Sequence, residues 1–264
     1  MKRRYGRGSS NDGGRDTDKL CWGRNPVFAV LDAAPGSCEK IFLASGTESS
    51  FRTRLLEAAG IGGVEVVQTG SSVLDEMTRG EKHQGVVARV LMPQARSLGK
   101  RPHRDGTDLL LALDHVKDPH NFGAVIRTAE SAGASGVIFP GRRSVGVTGT
   151  VVKTSAGAAF RLPLYQVVNL TRSLKELKKD GYWVVGLDHR ARSDIWSEPL
   201  PERLLLVVGA EGEGLSRLVS ERCDDLRRIP MAGQVGSLNA GVAAALGMFE
   251  WRRHILAGRK EQPK

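Results

Sequence analysis

The chain contains no apolar run approaching the roughly 18 residues that a membrane span requires. Its first stretch, MKRRYGRGSSNDGGRDTDK, lacks the apolar core of a secretory signal. Both absences point to a cytoplasmic protein with no membrane partner. Cysteine is scarce as well: Cys21, Cys38 and Cys223 are odd in number and scattered, which argues against a disulfide framework and a thiolate metal site. No H-E-x-x-H occurs. Asp114, His115, Asp118 and His120 lie close together in sequence, but their spacing defines no ligand geometry, so no metal is expected.

Acidic charge is the other shortage, and it is local. The formal net charge is +10; residues 1–24 carry seven Lys and Arg against three Asp, and residues 252–264 carry five against one Glu. The body between these ends is close to neutral. Within it, QARSLGKRPHR at 94–104 holds Arg96, Lys100, Arg101 and Arg104 and no acid. Basic charge therefore sits in two tails and one connection, which suits arms that neutralise a phosphate backbone and release its counterions. Tails that only keep the chain in solution would have the same composition.

What is present is enough for two folded units: 264 residues, 40% apolar and 26% charged. From Asn25 the chain reads as a helix NPVFAVLDA, a strand KIFLAS, a helix SFRTRLLEAAG ending at Gly60, a strand VEVVQT, a helix SVLDEMTRG and a strand GVVARV at 85–90. Pro93 to Gly106 reads as a linker. In the longer unit that follows, DLLLALDHV, GVIFP, RLPLYQV, YWVVGLDH, LLLVVG and LRRIPM alternate with helices, the last starting near Leu238. Near-continuous apolar strands imply a mainly parallel sheet covered on both faces. Ligands of such sheets bind beyond the carboxyl ends of the strands.

Three segments sit at such ends. DPHNFGAVIRTAESAG, 118–133, reads as a helix capped by Asn121 and ended by Gly133, with Phe122, Val125, Ile126, Ala129 and Ala132 on one stripe. Arg127 falls opposite the centre of that stripe, either as a solvated arginine or as a reactive group at the edge of a pocket. LLLVVGAEGEGLSRLV, 204–219, runs from a buried strand into a glycine-rich loop. Glu211 and Glu213 occupy positions where a pyrophosphate would need N–H donors, so the loop disfavours a dinucleotide and suits a cationic ligand such as a sulfonium. In RRIPMAGQVGSLNAGVAAALGMFEW, Pro230, Gly233 and Gly236 make a loop, Ser237 is placed to cap a helix and Asn239 lies in its first turn. Gly241, Ala244, Ala245, Met248 and Trp251 then recur at helical spacing, as core or as a subunit contact.

Taken in order, NFGAVIRTA, GAEGEG and IPMAGQVGSLN resemble the three motifs of the SpoU/TrmH group of SPOUT RNA ribose 2′-O-methyltransferases, over residues 107–256. The front unit, with RNPVFAVLDA and HQGVVARV, looks like the RNA-binding domain fused to the bacterial enzymes that methylate a guanosine of 23S ribosomal RNA. The resemblance implies an α/β fold class: a small ribosomal-protein-like α/β RNA-binding domain followed by a SPOUT α/β domain with a deep trefoil knot. On this chain it divides into a disordered basic tail over 1–22, an RNA substrate-binding domain over 23–92, a basic linker over 93–106, the methyltransferase domain over 107–258 and a basic tail over 259–264. It also implies S-adenosylmethionine as cofactor, no metal, ribosomal RNA as partner, and a homodimer whose site draws on both subunits. Carried over residue by residue, Gly209, Ile229 and Leu238 bind the cofactor largely through backbone groups, Asn121, Glu211, Ser237 and Asn239 organise the site, and Arg127 is catalytic. The chain has Asn-Ala-Gly after Leu238 where the group more usually has Asn-Val-Ser.

The implied reaction is an in-line attack of a ribose 2′-hydroxyl on the sulfonium methyl, which needs two partners positioned and a proton removed from a weak acid. A guanidinium rarely gives up its proton. Either a substrate phosphate helps make Arg127 neutral, or charged Arg127 stabilises the developing alkoxide while Glu211 or the phosphate takes the proton. A tRNA ribose methyltransferase would share these motifs, and the separate front domain favours ribosomal RNA instead. A non-catalytic RNA-binding module would account for the basic arms, and a nucleotide-dependent oxidoreductase is the remaining class.

Overall fold

A computed structural model of the chain describes residues 19–100, 106–141, 146–234 and 236–260. The first unit comprises β1 (Leu20–Trp22), α1 (Arg24–Ala33), β2 (Cys38–Ala44), α2 (Ser49–Gly62), β3 (Val66–Thr69), α3 (Ser71–Thr78) and β4 (Val86–Val90). Its strands lie in the order β1-β4-β2-β3, with β1 and β2 antiparallel to β4 and β3 parallel to β2. The expectation of disorder through residue 22 is corrected at its end. Leu20, Cys21 and Trp22 are buried and pair with Arg89, Ala88 and Val87. Three residues are too few to carry a period, and their partner lies far along the chain, so no local pattern marks them. The rest of the expected tail, 1–18, lies outside the described residues. The second helix runs past Gly60 and ends on Gly63, whose φ of 67° glycine adopts without strain.

The second unit comprises β5 (Arg96–Ser97), β6 (Asp108–Asp114), α4 (Pro119–Ala132), β7 (Gly136–Pro140), α5 (Gly149–Thr154), β8 (Leu164–Val167), α6 (Leu170–Lys179), β9 (Trp183–Leu187), β10 (Ser193–Asp194), β11 (Arg203–Gly209), α7 (Arg217–Ser220), β12 (Asp225–Arg228) and α8 (Ala240–Lys260). Its eight strands lie in the order β10-β12-β9-β11-β6-β7-β8-β5, and every pair is parallel. The two central strands run in register from Asp108 opposite Arg203 to Asp114 opposite Gly209. All seven residues of β6 are buried, which is why its sequence is continuously apolar between its terminal aspartates rather than alternating. Each fully buried leucine there contributes about 1.5–3 kcal/mol. Asp108 at the entry is neutralised as a cost by a hydrogen bond from the Tyr182 hydroxyl.

Residues 93–106 do more than connect the units. Arg96 and Ser97 pair with Tyr165 and Gln166 at the edge of the second sheet; Arg101 and Arg104 lie outside the described residues, as do 261–264 of the expected C-terminal tail. The units also touch directly. A Cβ on Gly149 would stand 2.4 Å from the Leu20 carbonyl oxygen, and one on Gly157 would stand 2.1 Å from the Ala29 Cβ. Glycine at these positions lets the two backbones meet, and ion pairs Arg161–Asp32 (2.8 Å) and Lys153–Glu81 (2.6 Å) flank the contact.

Burial pushes the Cys38 thiol up to about 11 and the Cys223 thiol up to about 12, and Cys21 is driven further in the same direction. Alkylation by iodoacetamide at pH 8 should therefore be about 10²-fold slower for the folded chain than for the chain in urea, since only the thiolate reacts. Rapid labelling of any of the three in the folded protein would contradict this burial.

Candidate active site

The first motif is set by its cap. Asp118, not Asn121, caps α4: its carboxylate accepts from the amides of His120 (3.1 Å) and Asn121 (3.2 Å), and Pro119 takes the first helical position, where its fixed φ and missing N–H cost nothing. Moving the cap back frees the Asn121 side chain. The third motif is corrected in the same way. Asn239, not Ser237, caps α8, its Oδ1 accepting from Gly241 N (2.9 Å) and Val242 N (3.4 Å). That cap fixes where its amide nitrogen points.

Asn239 Nδ2 donates to Asn121 Oδ1 at 2.8 Å and to Glu211 Oε2 at 3.1 Å, and Asn121 Nδ2 donates to the same Glu211 oxygen at 3.4 Å. One side chain from each of the three motifs thus closes a single polar cluster. Glu211 reaches it from a tight loop in which Gly214 N donates to Ala210 O at 3.0 Å and Gly212 and Gly214 take φ of 78° and 70°. The loop folds back over the end of β11 so closely that a Cβ on Gly209 would lie 2.0 Å from the Gly214 oxygen and 2.7 Å from Leu215 N. Both obstacles are backbone. Gly209→Ala should therefore displace the loop and weaken cofactor binding at least tenfold, about 1.4 kcal/mol, as read by calorimetric titration; an unchanged affinity would show that the loop can give way freely.

Beside the cluster, at the carboxyl ends of β9, β11 and β12, lies a cleft of about 80 Å³ that opens to solvent. Gly209, Ile229, Ser237 and Leu238 all line it, and Leu187, Val208 and Ala243 supply apolar wall. Among the described residues the lining holds no Lys or Arg, so a pyrophosphate would go uncompensated, whereas an apolar wall with backbone polar groups fits a nucleoside that carries positive charge. Arg127 stands apart. It is exposed on α4, and among the described residues its guanidinium has no hydrogen-bond or ion-pair partner and no link to the Asn121 cluster.

Sequence reasoning passed over Leu187, Asp188 and His189, which also line the cleft. The available signal was an acid at the carboxyl end of a buried parallel strand. The same Leu-Asp-His ends β6 at 113–115. Asp188 is buried and takes two bonds from Arg190, Nε at 2.9 Å and Nη2 at 2.6 Å, and that guanidinium holds its carboxyl below the usual carboxylate range. Among the described residues no three His, Cys, Asp or Glu side chains are grouped to hold a metal ion. Asp114 instead accepts from Ser216 N at 2.8 Å, with His115 Nδ1 at 2.6 Å from its other oxygen.

Residues 108–249 match the SpoU rRNA Methylase family, and residues 20–95 match the RNA 2′-O ribose methyltransferase substrate binding family. The 23S rRNA (guanosine-2′-O-)-methyltransferase RlmB of Vibrio vulnificus is 39% identical over 248 residues, which span 92% of this chain and 100% of that protein. The protein of the same name from Xylella fastidiosa is 42% identical over 230 residues, spanning 85% of this chain and 91% of its own. Among solved structures, the SpoU methyltransferase AviRb from Streptomyces viridochromogenes in complex with AdoMet superposes with a TM-score of 0.77 at 28% identity, covering 95% of each chain.

Proposed function

This chain belongs to the SpoU rRNA Methylase family, and from that premise we propose that it transfers a methyl group from S-adenosylmethionine to the ribose 2′-hydroxyl of a guanosine in 23S ribosomal RNA. The observation that carries the reading is the joining of Asn121, Glu211 and Asn239, one from each motif, beside a cleft lined by no Lys or Arg among the described residues. S-adenosylmethionine supplies a methyl group made electrophilic by its sulfonium. Gly209, Ile229 and Leu238 would hold it through backbone groups, with Ser237 at the rim.

The two asparagine amides both donate to Glu211 Oε2, which orients the carboxylate and leaves Oε1 open. That oxygen is the proton acceptor this arrangement favours. Arg127, whose guanidinium has no partner among the described residues, stabilises the developing alkoxide and an adjacent phosphate. Because it lies outside the cluster of its own chain, it serves the site of the partner in a homodimer.

The dimer contact is the outer face of α8, where Val242, Leu246, Phe249 and Leu256 are exposed at spacings of four, three and seven, with Trp196 beside Phe249. Such a stripe is a liability on a lone chain and a natural seam between two copies. The small-residue face of the same helix is committed elsewhere, since Ala244, Met248 and Trp251 are buried in the chain's own core. Family membership further implies a deep trefoil knot within 107–258, an RNA-binding domain that begins at β1 and runs to residue 92, and work in the cytoplasm on ribosomal RNA; the basic stretches at 1–19, 93–106 and 259–264 would serve as arms on the phosphate backbone.

The test is a map of ribose methylation in total RNA from cells with and without the gene, joined to transfer of labelled methyl by the purified full chain. One 2′-O-methylguanosine should vanish from 23S RNA. Loss from a tRNA instead would favour the tRNA enzyme, and no change in any RNA would favour a non-catalytic RNA-binding module.

A further inference from the structure

Glu211 rides on a glycine-rich loop closed by the Gly214 N to Ala210 O bond, so the carboxylate's place depends on what holds the loop's base. The base of that loop is gripped from the strands on both sides of β11. On the β6 side, the Asp114 side chain, 2% exposed, accepts the Ser216 amide at 2.8 Å. His115, against the other oxygen, takes a φ of 61°, which a residue other than glycine adopts rarely. On the β9 side, Asp188, also 2% exposed, fixes Arg190 by its two bonds, and Arg190 Nη2 donates to the Leu215 carbonyl at 3.3 Å. Successive residues are therefore held by opposite groups, Leu215 through its C=O and Ser216 through its N–H.

We propose that Asp114 and the Asp188–Arg190 pair are positioning residues for methyl transfer, a two-sided clamp that sets the Glu211 loop over the cleft. The proposal rests on the methyltransferase reading above. Two buried carboxylates are expensive to desolvate, and apolar residues would fill the same space at lower cost. What they supply is fixed geometry. Gly214 N is bonded to Ala210 O, so a shift at the loop's base carries Ala210, Gly212 and Gly214 with it, and all three line the cleft. A displacement of about 1 Å near a reacting centre costs on the order of 10²-fold in rate.

The clamp can be read without substrate. In the full chain, Asp114→Ala and Arg190→Ala should each speed hydrogen exchange of the amides from Gly212 to Ser216 about tenfold or more while leaving those of β11 unchanged. Turnover with 23S RNA should fall about tenfold or more, chiefly in kcat rather than in KM for RNA. Asp114→Asn keeps an acceptor for the Ser216 amide, so it should retain loop protection and stay within about threefold of parental turnover. If Asp114→Ala does not fold, Arg190→Ala decides, since its side chain is more than half exposed and leaves no hole in the core. Unchanged loop exchange in the folded variants, or an Asn variant as impaired as the Ala one, overturns the clamp. A parent chain that methylates no RNA would refute the methyltransferase reading and leave the exchange result standing.

Discussion

Arg127→Ala should lower methyl transfer about 10³-fold or more, equivalent to about 4 kcal/mol of transition-state stabilisation. Stability and cofactor affinity should stay close to parental. The side chain is exposed, on the side of α4 away from buried Phe122, Val125, Ile126 and Ala129, so its removal opens no cavity and breaks no internal bond. Single-turnover rates, thermal melting and a cofactor titration check the three parts. An unfolded variant, or one within about tenfold of parental rate, would sink the assignment. Mixing gives the sharper form. If Arg127 serves the partner's site, dimers reassembled from Arg127→Ala and Glu211→Gln chains contain one site with neither defect, and random pairing should restore about a quarter of parental activity. No restoration would place Arg127 in its own chain's site.

How much of this was legible depends on the range of the interactions involved. The central strands were plain because burial on both faces demands an uninterrupted apolar run, and β6 and β11 have one. Helix α4 was plain for the same kind of reason, a stripe at one period. Its cap was not, because Asp118 and Asn121 are both good caps by residue type; only Pro119, which prefers the first helical position, separates them. At α8, Ser237 and Asn239 pose the same choice; Asn239 makes the cap, and its amide nitrogen also bonds Asn121 far away in sequence. The convergence of the three motifs is a product of parallel pairing between distant strands and has no local trace. Asp114 and Asp188 left a trace, a repeated Leu-Asp-His at two strand ends. By sequence alone the first reads only as a candidate metal ligand. Strand β1 and the edge strand β5 left none, being three and two residues long.

If the proposed dimer forms through α8, Leu246→Glu combined with Phe249→Glu should convert it into a monomer and remove as much activity as Arg127→Ala does. Leu246 is 38% exposed and Phe249 49% in the single chain, and burying a large apolar side chain is worth about 1.5–3 kcal/mol. In a two-fold contact each substitution acts twice. Four carboxylates facing one another in an apolar seam would cost several kcal/mol more than the contact recovers. The chain itself should still fold, because the inner face of α8 keeps Ala244, Met248, Trp251 and Ile255 in the core and Glu250 keeps its ion pairs with Arg253 and His254. The cleft proposed for the cofactor is lined by residues of one chain, so on the proposed arrangement binding of S-adenosylmethionine should persist in the monomer while transfer should fall for want of the partner's arginine. Sedimentation equilibrium distinguishes one chain of 28.5 kDa from two. A double variant that remains dimeric would move the interface off this face, and a monomer with full activity would show that each chain completes its own site.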